Sequence, residues 1–203
     1  MNGGAARWHA GDGQRGLHAD ARAVLDAWVA PNNAQEALRH TFIDLLDAQP
    51  DAMFRHCRPD HLTGSALIVR SQQAGPGDVL LVRHAKAGKW LQTGGHCEPT
   101  DATLAEAALR EASEESGIAG LTVDPVPLQL SRHHVPFCGP PAGGHHLDVQ
   151  FLVLAPASGE IAAAPGEDKA AWFPLDPMQV PEPTDQDVRN LIAAATRRLR
   201  GTP

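Results

Sequence analysis

The segment TLAEAALREASEESG constrains the fold more than any other part of the chain, because it marks both ends of one helix. Thr103, followed three residues later by Glu106, forms a capping box, which predicts that a helix begins at Leu104. Gly117 is typical of the position just after a helix. We therefore predict a helix over residues 104–116.

Three glutamates lie on one side of this helix. At about 3.6 residues per turn, Glu111, Glu114 and Glu115 fall within an arc of roughly 100°. A solvated helix face is the simple interpretation, but hard divalent cations take oxygen ligands of this type. Just upstream, Gly94 and Gly95 follow a strand-like segment, and a glycine pair lets the backbone approach a ligand closely. The combination favours a metal site that handles phosphate.

The rest of the chain alternates between helical and strand-like patterns. Helical periodicity covers residues 19–48, with a break at Pro31, and returns over residues 184–201. Segments typical of strands cover residues 64–70, 78–84, 89–92, 126–135, 146–155 and 170–175. This order predicts an α+β fold, an α/β/α sandwich with a mixed sheet between helices.

The same patterns divide the chain into three parts. We predict a flexible N-terminal tail over residues 1–18, a helical extension over residues 19–58 and the main domain over residues 59–203. The extension could cap the main domain, cover a substrate cleft or form a homodimer interface. Its apolar faces favour packing, and a homodimer is the interpretation towards which they point.

Charge and cysteine content narrow the classes of function. The chain has 203 residues and a formal net charge of −7 with His neutral, so a nucleic acid polymer meets no general attraction. No apolar run could span a bilayer, and we expect no membrane partner. The cysteines Cys57, Cys97 and Cys138 include no C-x-x-C pair, which argues against a disulfide scaffold and against a zinc site based on cysteine. A cytoplasmic location follows as an expectation.

Residues 95–118 resemble the Nudix box of the Nudix hydrolase superfamily. The matching positions are Gly95, Arg110, Glu111, Ala112, Glu114, Glu115, Gly117 and Ile118. The span from Gly95 to Arg110 is one residue longer than in the standard box. Counting from the glycine puts Asp101 at the position of the missing glutamate, and counting back from the arginine puts Ala102 there. We interpret this as an insertion, with Asp101 or Glu98 in the role of that glutamate.

The resemblance implies an activity, a cofactor and a set of ligands. Nudix enzymes cleave a diphosphate bond of a nucleoside diphosphate derivative and use Mg²⁺ or Mn²⁺. By position in the box, Glu111, Glu114 and Glu115 would be metal ligands, Arg110 would hold the loop or a carboxylate, and Gly95 would shape the turn. A small phosphorylated, nucleotide-like substrate is expected. The alternatives are a Nudix-fold protein that binds a nucleotide in a regulatory role and an isomerase of the same fold.

The general base is less defined by the sequence. Glu114 or Glu111 could activate a water molecule, and Asp148 is a further candidate catalytic residue. If strand alternation holds, Asp148 shares one face with His146 and Gln150, and a solvent-facing polar stripe is the alternative interpretation. Three acidic residues in the following loop are also candidates: Glu160, Glu167 and Asp168.

Histidines occur as two adjacent pairs, 133–134 and 145–146, and singly near the box. His96 directly follows Gly95 and is the histidine best placed to contact a substrate phosphate. We expect the histidines to line the cleft or to lie on the surface. A second site for zinc or manganese is the alternative, although none of them has the helical spacing of a zinc protease motif.

Overall fold

The computed structural model describes residues 10–71, 77–85, 87–136, 138, 143–162 and 169–201, with the side chains of residues 10–15 left aside. Within these residues the chain forms four helices. They are α1 (Ala10–Ala27), α2 (Asn33–Ala48), α3 (Leu104–Ser116) and α4 (Gln186–Leu199). The four helices flank one mixed sheet, so the predicted α+β architecture is confirmed.

Eight strands make up the described sheet. They are β1 (His61–Arg70), β2 (Asp78–His84), β3 (Lys89–Leu91), β4 (Thr93–His96), β5 (Thr122–Val123), β6 (Gln129–Val135), β7 (Gly144–Ala155) and β8 (Lys169–Pro174). The main path runs β3-β2-β1-β7-β5, while β4 also pairs with β1, β6 with β7 and β8 with β2. β1 and β7 run parallel along their whole shared length, and the other pairs are antiparallel.

The central strand β1 is buried along nine of its ten residues and separates two apolar layers. Because side chains alternate along a strand, Ala66 and Ile68 join the layer that contains α3, whereas Leu67 and Val69 join the layer that contains α4. Gly64 lies under α3, and a Cβ added there would lie 3.3 Å from the Ala108 nitrogen. This close approach fixes the distance between α3 and the sheet.

Helix α3 begins and ends where the sequence predicts. The Thr103 hydroxyl accepts a hydrogen bond from the Glu106 N–H at 3.1 Å, which satisfies one of the free donors of the first turn. Gly117 follows the helix with a φ of 65°, a left-handed conformation that glycine adopts without strain. The predicted helix over residues 104–116 is therefore confirmed.

The two N-terminal helices pack onto the sheet domain. Leu25 and Trp28 belong to the same core as α3, and the indole N–H of Trp28 donates to the Pro127 carbonyl at 2.8 Å. On α2, the Gln35 amide exchanges two hydrogen bonds with the Leu130 backbone, at 2.9 and 2.6 Å. Their apolar faces are thus covered within one chain, and dimer formation stays a prediction.

The predicted N-terminal tail needs a correction. Residues 10–18 belong to α1 because the helix extends about two and a half turns further than the apolar pattern alone suggested, and Leu17 is fully buried. Residues 1–9 lie outside the described residues. Among the described helices, none is both long enough and apolar enough to cross a bilayer.

Candidate active site

The glycine pair of β4 brings the strand backbone against the glutamate side of α3. A Cβ added at Gly95 would lie 2.6 Å from the carboxylate of Glu111, so any larger residue would displace that carboxylate. The Gly94 N–H donates to the Glu115 carboxylate at 3.3 Å. The pair therefore lets the strand backbone and the carboxylates lie in contact, and a close approach to a ligand stays a prediction.

Arg110 connects the loop before α3 to the glutamates. Its Nε donates to Asp101 Oδ1 at 3.0 Å, and its Nη2 donates to Asp101 Oδ2 at 3.2 Å and to the His96 carbonyl at 2.9 Å. Its Nη1 donates to Glu111 at 2.8 Å and to Glu114 at 3.3 Å. The planar guanidinium fork suits such multiple contacts. One side chain thus holds both the loop and two carboxylates in place.

Asp101 is the carboxylate that pairs with Arg110. Its side chain is buried, accepts the two bonds from Arg110, and also accepts the Glu98 N–H at 2.7 Å. The side chains of Glu98 and Ala102 are exposed. The extra residue in the loop is therefore absorbed in a turn that Asp101 closes.

Burial and ion pairing shape the charges at this site. Burial raises the pKa of Glu111, and the neighbouring Arg110 guanidinium offsets part of that rise. The hydrogen bond from Arg110 to Asp101 is the largest cause of a raised pKa for the arginine, which stays protonated. Glu114, with 60% of its side chain exposed, points into solvent next to the largely buried Glu111. The two carboxylates therefore differ in environment although they lie on one helix side.

The three glutamates lie on one side of α3, but their oxygens do not gather at a single point. Arg110 attracts Glu111 and Glu114, whereas Glu115 contacts the Gly94 N–H. The donor set consists of carboxylate oxygens only, and it faces a backbone turn that a Cβ would obstruct. Such a set fits Mg²⁺ or Mn²⁺, which prefer oxygen ligands and keep part of their coordination for water and phosphate.

The structure places Asp148 apart from the glutamates. It is 1% exposed and accepts hydrogen bonds from Thr63 at 2.9 Å, Ser65 at 2.7 Å and Gln150 at 2.9 Å. Thr63 and Ser65 alternate with Gly64, which faces α3, so Asp148 lies on the opposite face of the sheet. The polar stripe on β7 is therefore buried, and the interpretation as a solvent-facing stripe is wrong. A catalytic role for Asp148 stays a prediction.

The other acidic candidates are placed as follows. Glu160 is exposed, and Glu167 and Asp168 lie outside the described residues.

His96 also faces away from α3. It pairs with Thr63 across the β1–β4 ladder, and paired residues project to the same face. Its ring lies 5.1 Å from that of His61 and 4.9 Å from that of His146, measured between centroids. Burial lowers the pKa of His96 to about 4 and that of His146 to about 3. A contact between His96 and substrate phosphate stays a prediction, but the ring itself packs among other rings.

Two residues next to His96 were not among the site residues predicted from the sequence. His61, which is 1% exposed, begins β1, and Cys138 lies in the loop between β6 and β7. The signal was present in β1, where His61, Thr63 and Ser65 alternate with apolar residues in the same way as the stripe on β7. Two matching polar stripes indicate which residues of two strands lie side by side, but only once it is known that these two strands pair.

The comparisons with known proteins agree with this architecture. The sequence model of the NUDIX domain matches residues 61–195, which is well over half of the chain. The chain therefore belongs to the NUDIX domain family, the family of the Nudix hydrolases. No curated protein matches the sequence.

Solved structures of the same fold show low sequence identity. An Ap4A hydrolase from C. elegans, solved as a binary complex, is 17% identical with a TM-score of 0.57, over 69% of this chain and 98% of that chain. A NUDIX family hydrolase from Clostridium perfringens is 24% identical with a TM-score of 0.54, over 68% and 97%. The NUDIX domain of NrtR from Shewanella oneidensis, complexed with ADP ribose, is 24% identical with a TM-score of 0.51, over 70% and 90%.

Proposed function

We propose that this Nudix hydrolase cleaves a diphosphate bond in a small nucleoside diphosphate derivative, with Mg²⁺ or Mn²⁺ as its cofactor. The observation that carries the proposal is the contact between the glycine pair of β4 and the glutamate side of α3. A Cβ at Gly95 would lie 2.6 Å from the Glu111 carboxylate, so the box is folded around an open backbone turn beside its carboxylates.

Glu111, Glu114 and Glu115 are the residues we propose as metal ligands. A bound divalent cation neutralises phosphate charge and lowers the pKa of a coordinated water molecule. The exposed carboxylate of Glu114 can reach solvent and substrate, while Glu111 is anchored by Arg110. Glu114 and Glu111 therefore stay the first candidates for the general base, with Asp148 as the third.

Arg110 and Asp101 are proposed to position these carboxylates. Their bidentate pairing, at 3.0 and 3.2 Å, fixes the guanidinium fork, and the fork in turn holds Glu111. A preorganised carboxylate loses less freedom when it binds a cation or orients water. These two residues act through the glutamates and need not contact the substrate.

The class of substrate is proposed from chemistry and from the neighbours. The C. elegans protein is named an Ap4A hydrolase, and the Shewanella NUDIX domain was solved with ADP ribose. Both compounds contain phosphoric anhydride bonds next to a nucleoside, which is the chemistry that we propose here. A cytoplasmic site of action stays a prediction.

The test is hydrolysis of a panel of nucleoside diphosphate derivatives, with Mg²⁺ or Mn²⁺, for the wild type and for Glu114→Gln, measured by chromatography of the two phosphate-ester products. We expect metal-dependent turnover of at least one compound and a loss of roughly a hundredfold or more in the variant. Glu106→Gln is the matched control, because it removes the same charge from the exposed first turn of the same helix. Binding of a panel member without turnover would favour the alternative, a nucleotide-binding regulator.

A further inference from the structure

A second group of metal-binding side chains lies on the opposite face of the sheet from the glutamates. Among the described residues, it is the group of His, Cys, Asp and Glu side chains that brings one ligand atom from each member within 4.8 Å of all the others. We call this group the His/Cys cluster, and its members are His61, His96, Cys138 and His146.

The strand pairing explains why four distant residues meet. His61 and His146 are direct partners in the parallel ladder of β1 and β7, and on the other side of β1 His96 pairs with Thr63, two residues beyond His61. Cys138, which lies between β6 and β7, contacts His61 and His96 and comes within 4.8 Å of the nearest His146 ligand atom. The sheet register, rather than any local motif, therefore builds the cluster.

The distances fit a tetrahedral metal ion. Cys138 Sγ lies 3.7 Å from Nε2 of His61 and 3.7 Å from Nε2 of His96. Tetrahedral zinc has Zn–S of about 2.3 Å and Zn–N of about 2.0–2.1 Å, which separates the sulfur from each nitrogen by about 3.6 Å. These two distances match those between ligands of one ion, and all four ligand atoms lie within 4.8 Å of one another.

Hydrogen bonding alone satisfies the His/Cys cluster less well. A thiol has one proton, so Cys138 can donate to only one of the two nitrogens, and the other ring would have to donate to the sulfur, a weak acceptor. His146 Nε2 is buried and has no hydrogen-bond partner among the described residues. A buried polar atom without a partner needs an explanation. Coordination of a cation by lone pairs on the rings and the sulfur accounts for all of these atoms together.

The surroundings hold the cluster in a ligand-binding arrangement. The His61 Nδ1–H donates to the Cys57 carbonyl at 3.2 Å, which fixes the ring and leaves Nε2 directed at Cys138. A Cβ at Gly144 would lie 1.9 Å from the Pro59 carbonyl oxygen and 3.1 Å from that of Cys138. Glycine at this position therefore lets the backbone at Pro59 and Cys138 approach the start of β7 closely.

We propose that the His/Cys cluster binds one Zn²⁺ ion in a structural site. Imidazole and thiolate bind Zn²⁺ in preference to Mg²⁺, and four protein ligands complete the tetrahedral shell of Zn²⁺. On binding, the cysteine thiol releases its proton and coordinates as a thiolate. The ion would join the starts of β1 and β7 to the end of β4, and it would anchor the loop that carries Cys138. The absence of a C-x-x-C pair excludes only a zinc site built from cysteines close in sequence, whereas the sheet assembles this cluster from distant residues.

The first test is the metal content of the wild-type protein, produced without a histidine tag and purified without chelator. Inductively coupled plasma mass spectrometry should find close to one zinc per chain. In Cys138→Ala and His146→Ala, the zinc affinity should fall by more than the roughly 10–100-fold that the loss of an outer-shell partner costs. Cys97→Ala is the matched control, because Cys97 is buried but lies outside the cluster.

A second test reports on the sulfur directly and does not depend on activity. Protein freed of zinc and loaded with Co²⁺ should show a thiolate-to-cobalt charge-transfer band and the visible absorption of tetrahedral Co²⁺. The band should disappear in Cys138→Ala and persist in Cys97→Ala. Wild-type protein that holds no zinc and gives no thiolate band with Co²⁺ would overturn the proposal. Zinc that survives both cluster variants but is lost in Glu111→Gln would overturn it as well, because the ion would then lie at α3.

Discussion

Two neighbouring residues of β4 lie on opposite faces of the sheet, and the side chains around them differ in chemistry. Gly95 faces α3 and its carboxylates, whereas His96 faces the His/Cys cluster. The α3 side offers hard oxygen donors from one continuous segment, organised around the charge of Arg110. The cluster side offers nitrogen and sulfur donors from four separate segments, and burial keeps its rings neutral. One strand of four residues thus contributes to both proposed metal sites, whose donor atoms suit different metals.

The difference between the two faces shows which kind of site can be predicted from a sequence and which kind cannot. The glutamate side is encoded locally, since helical spacing alone puts its carboxylates on one side. The cluster depends on the pairing of β1 with β7, which joins residues 85 positions apart, as His61 is to His146. Sites of the first kind are visible as motifs, and sites of the second kind become visible only with the fold.

The largest expected effect separates the two faces by activity. Glu114→Gln should lower kcat/KM at least a hundredfold, or about 2.7 kcal/mol of transition-state stabilisation, because it removes a negative ligand without changing shape. Its zinc content should equal that of the wild type. Steady-state kinetics with Mg²⁺, combined with metal analysis of the same sample, provides the measurement. A variant that loses both activity and zinc would contradict the separation of the faces.

Removal of zinc should lower the free energy of unfolding. After treatment with a strong chelator, adding free Zn²⁺ at a hundred times its Kd should raise the free energy of unfolding by about 2.7 kcal/mol. Urea unfolding followed by circular dichroism measures this difference. Mg²⁺ at the same concentration is the control and should restore none of it. An unfolding midpoint that does not respond to Zn²⁺ would contradict the structural role.

Asp148 tests whether the cluster face takes part in catalysis. Asp148→Asn should lower the free energy of unfolding by about 2 kcal/mol, because hydrogen bonds to a buried carboxylate are lost or weakened. Thermal or urea unfolding measures this effect. A general base would in addition require a fall in kcat of roughly a hundredfold and a change in the pH profile. Thr63→Val, which removes one donor to the same carboxylate, is the control for a purely structural contribution.

Gly95→Ala should give the smallest effect and should sharpen the comparison on the α3 side. The added methyl group meets the end of the flexible Glu111 side chain, which can move aside with little cost in stability. We expect kcat/KM to fall roughly tenfold, or about 1.4 kcal/mol, with the thermal midpoint almost unchanged. Gly64→Ala is the matched control, since its methyl group would meet the backbone of α3 and should affect stability instead.

The sequence predicted the parts of the molecule that local rules determine. The bounds of α3 follow from the Thr103 cap and from Gly117, and both are confirmed. The one-residue insertion before α3 left Asp101, Glu98 and Ala102 as alternatives. Only tertiary contacts could decide between them, because the choice depends on which carboxylate the Arg110 fork reaches.

The histidines show the limit of the same approach. Adjacent histidines on one strand point to opposite faces, so His145 and His146 have different surroundings although the sequence treats them as a pair. His145 contacts Asp60 near the surface, whereas His146 lies inside the cluster. Without the register of β1 and β7, nothing distinguishes a buried ligand from a surface residue.

The packing of α1 shows that the folded unit begins before the segment that the family model matches. The family match begins at residue 61, yet Asp20 accepts the Leu104 N–H at 2.7 Å and so supports the first turn of the helix that carries the box. The segment that the family model matches is therefore shorter than the segment that folds as a unit. A fragment cut at residue 59 would expose the core surface that Leu25 and Trp28 cover, and it would be a poor substitute for the whole protein in any binding or kinetic assay.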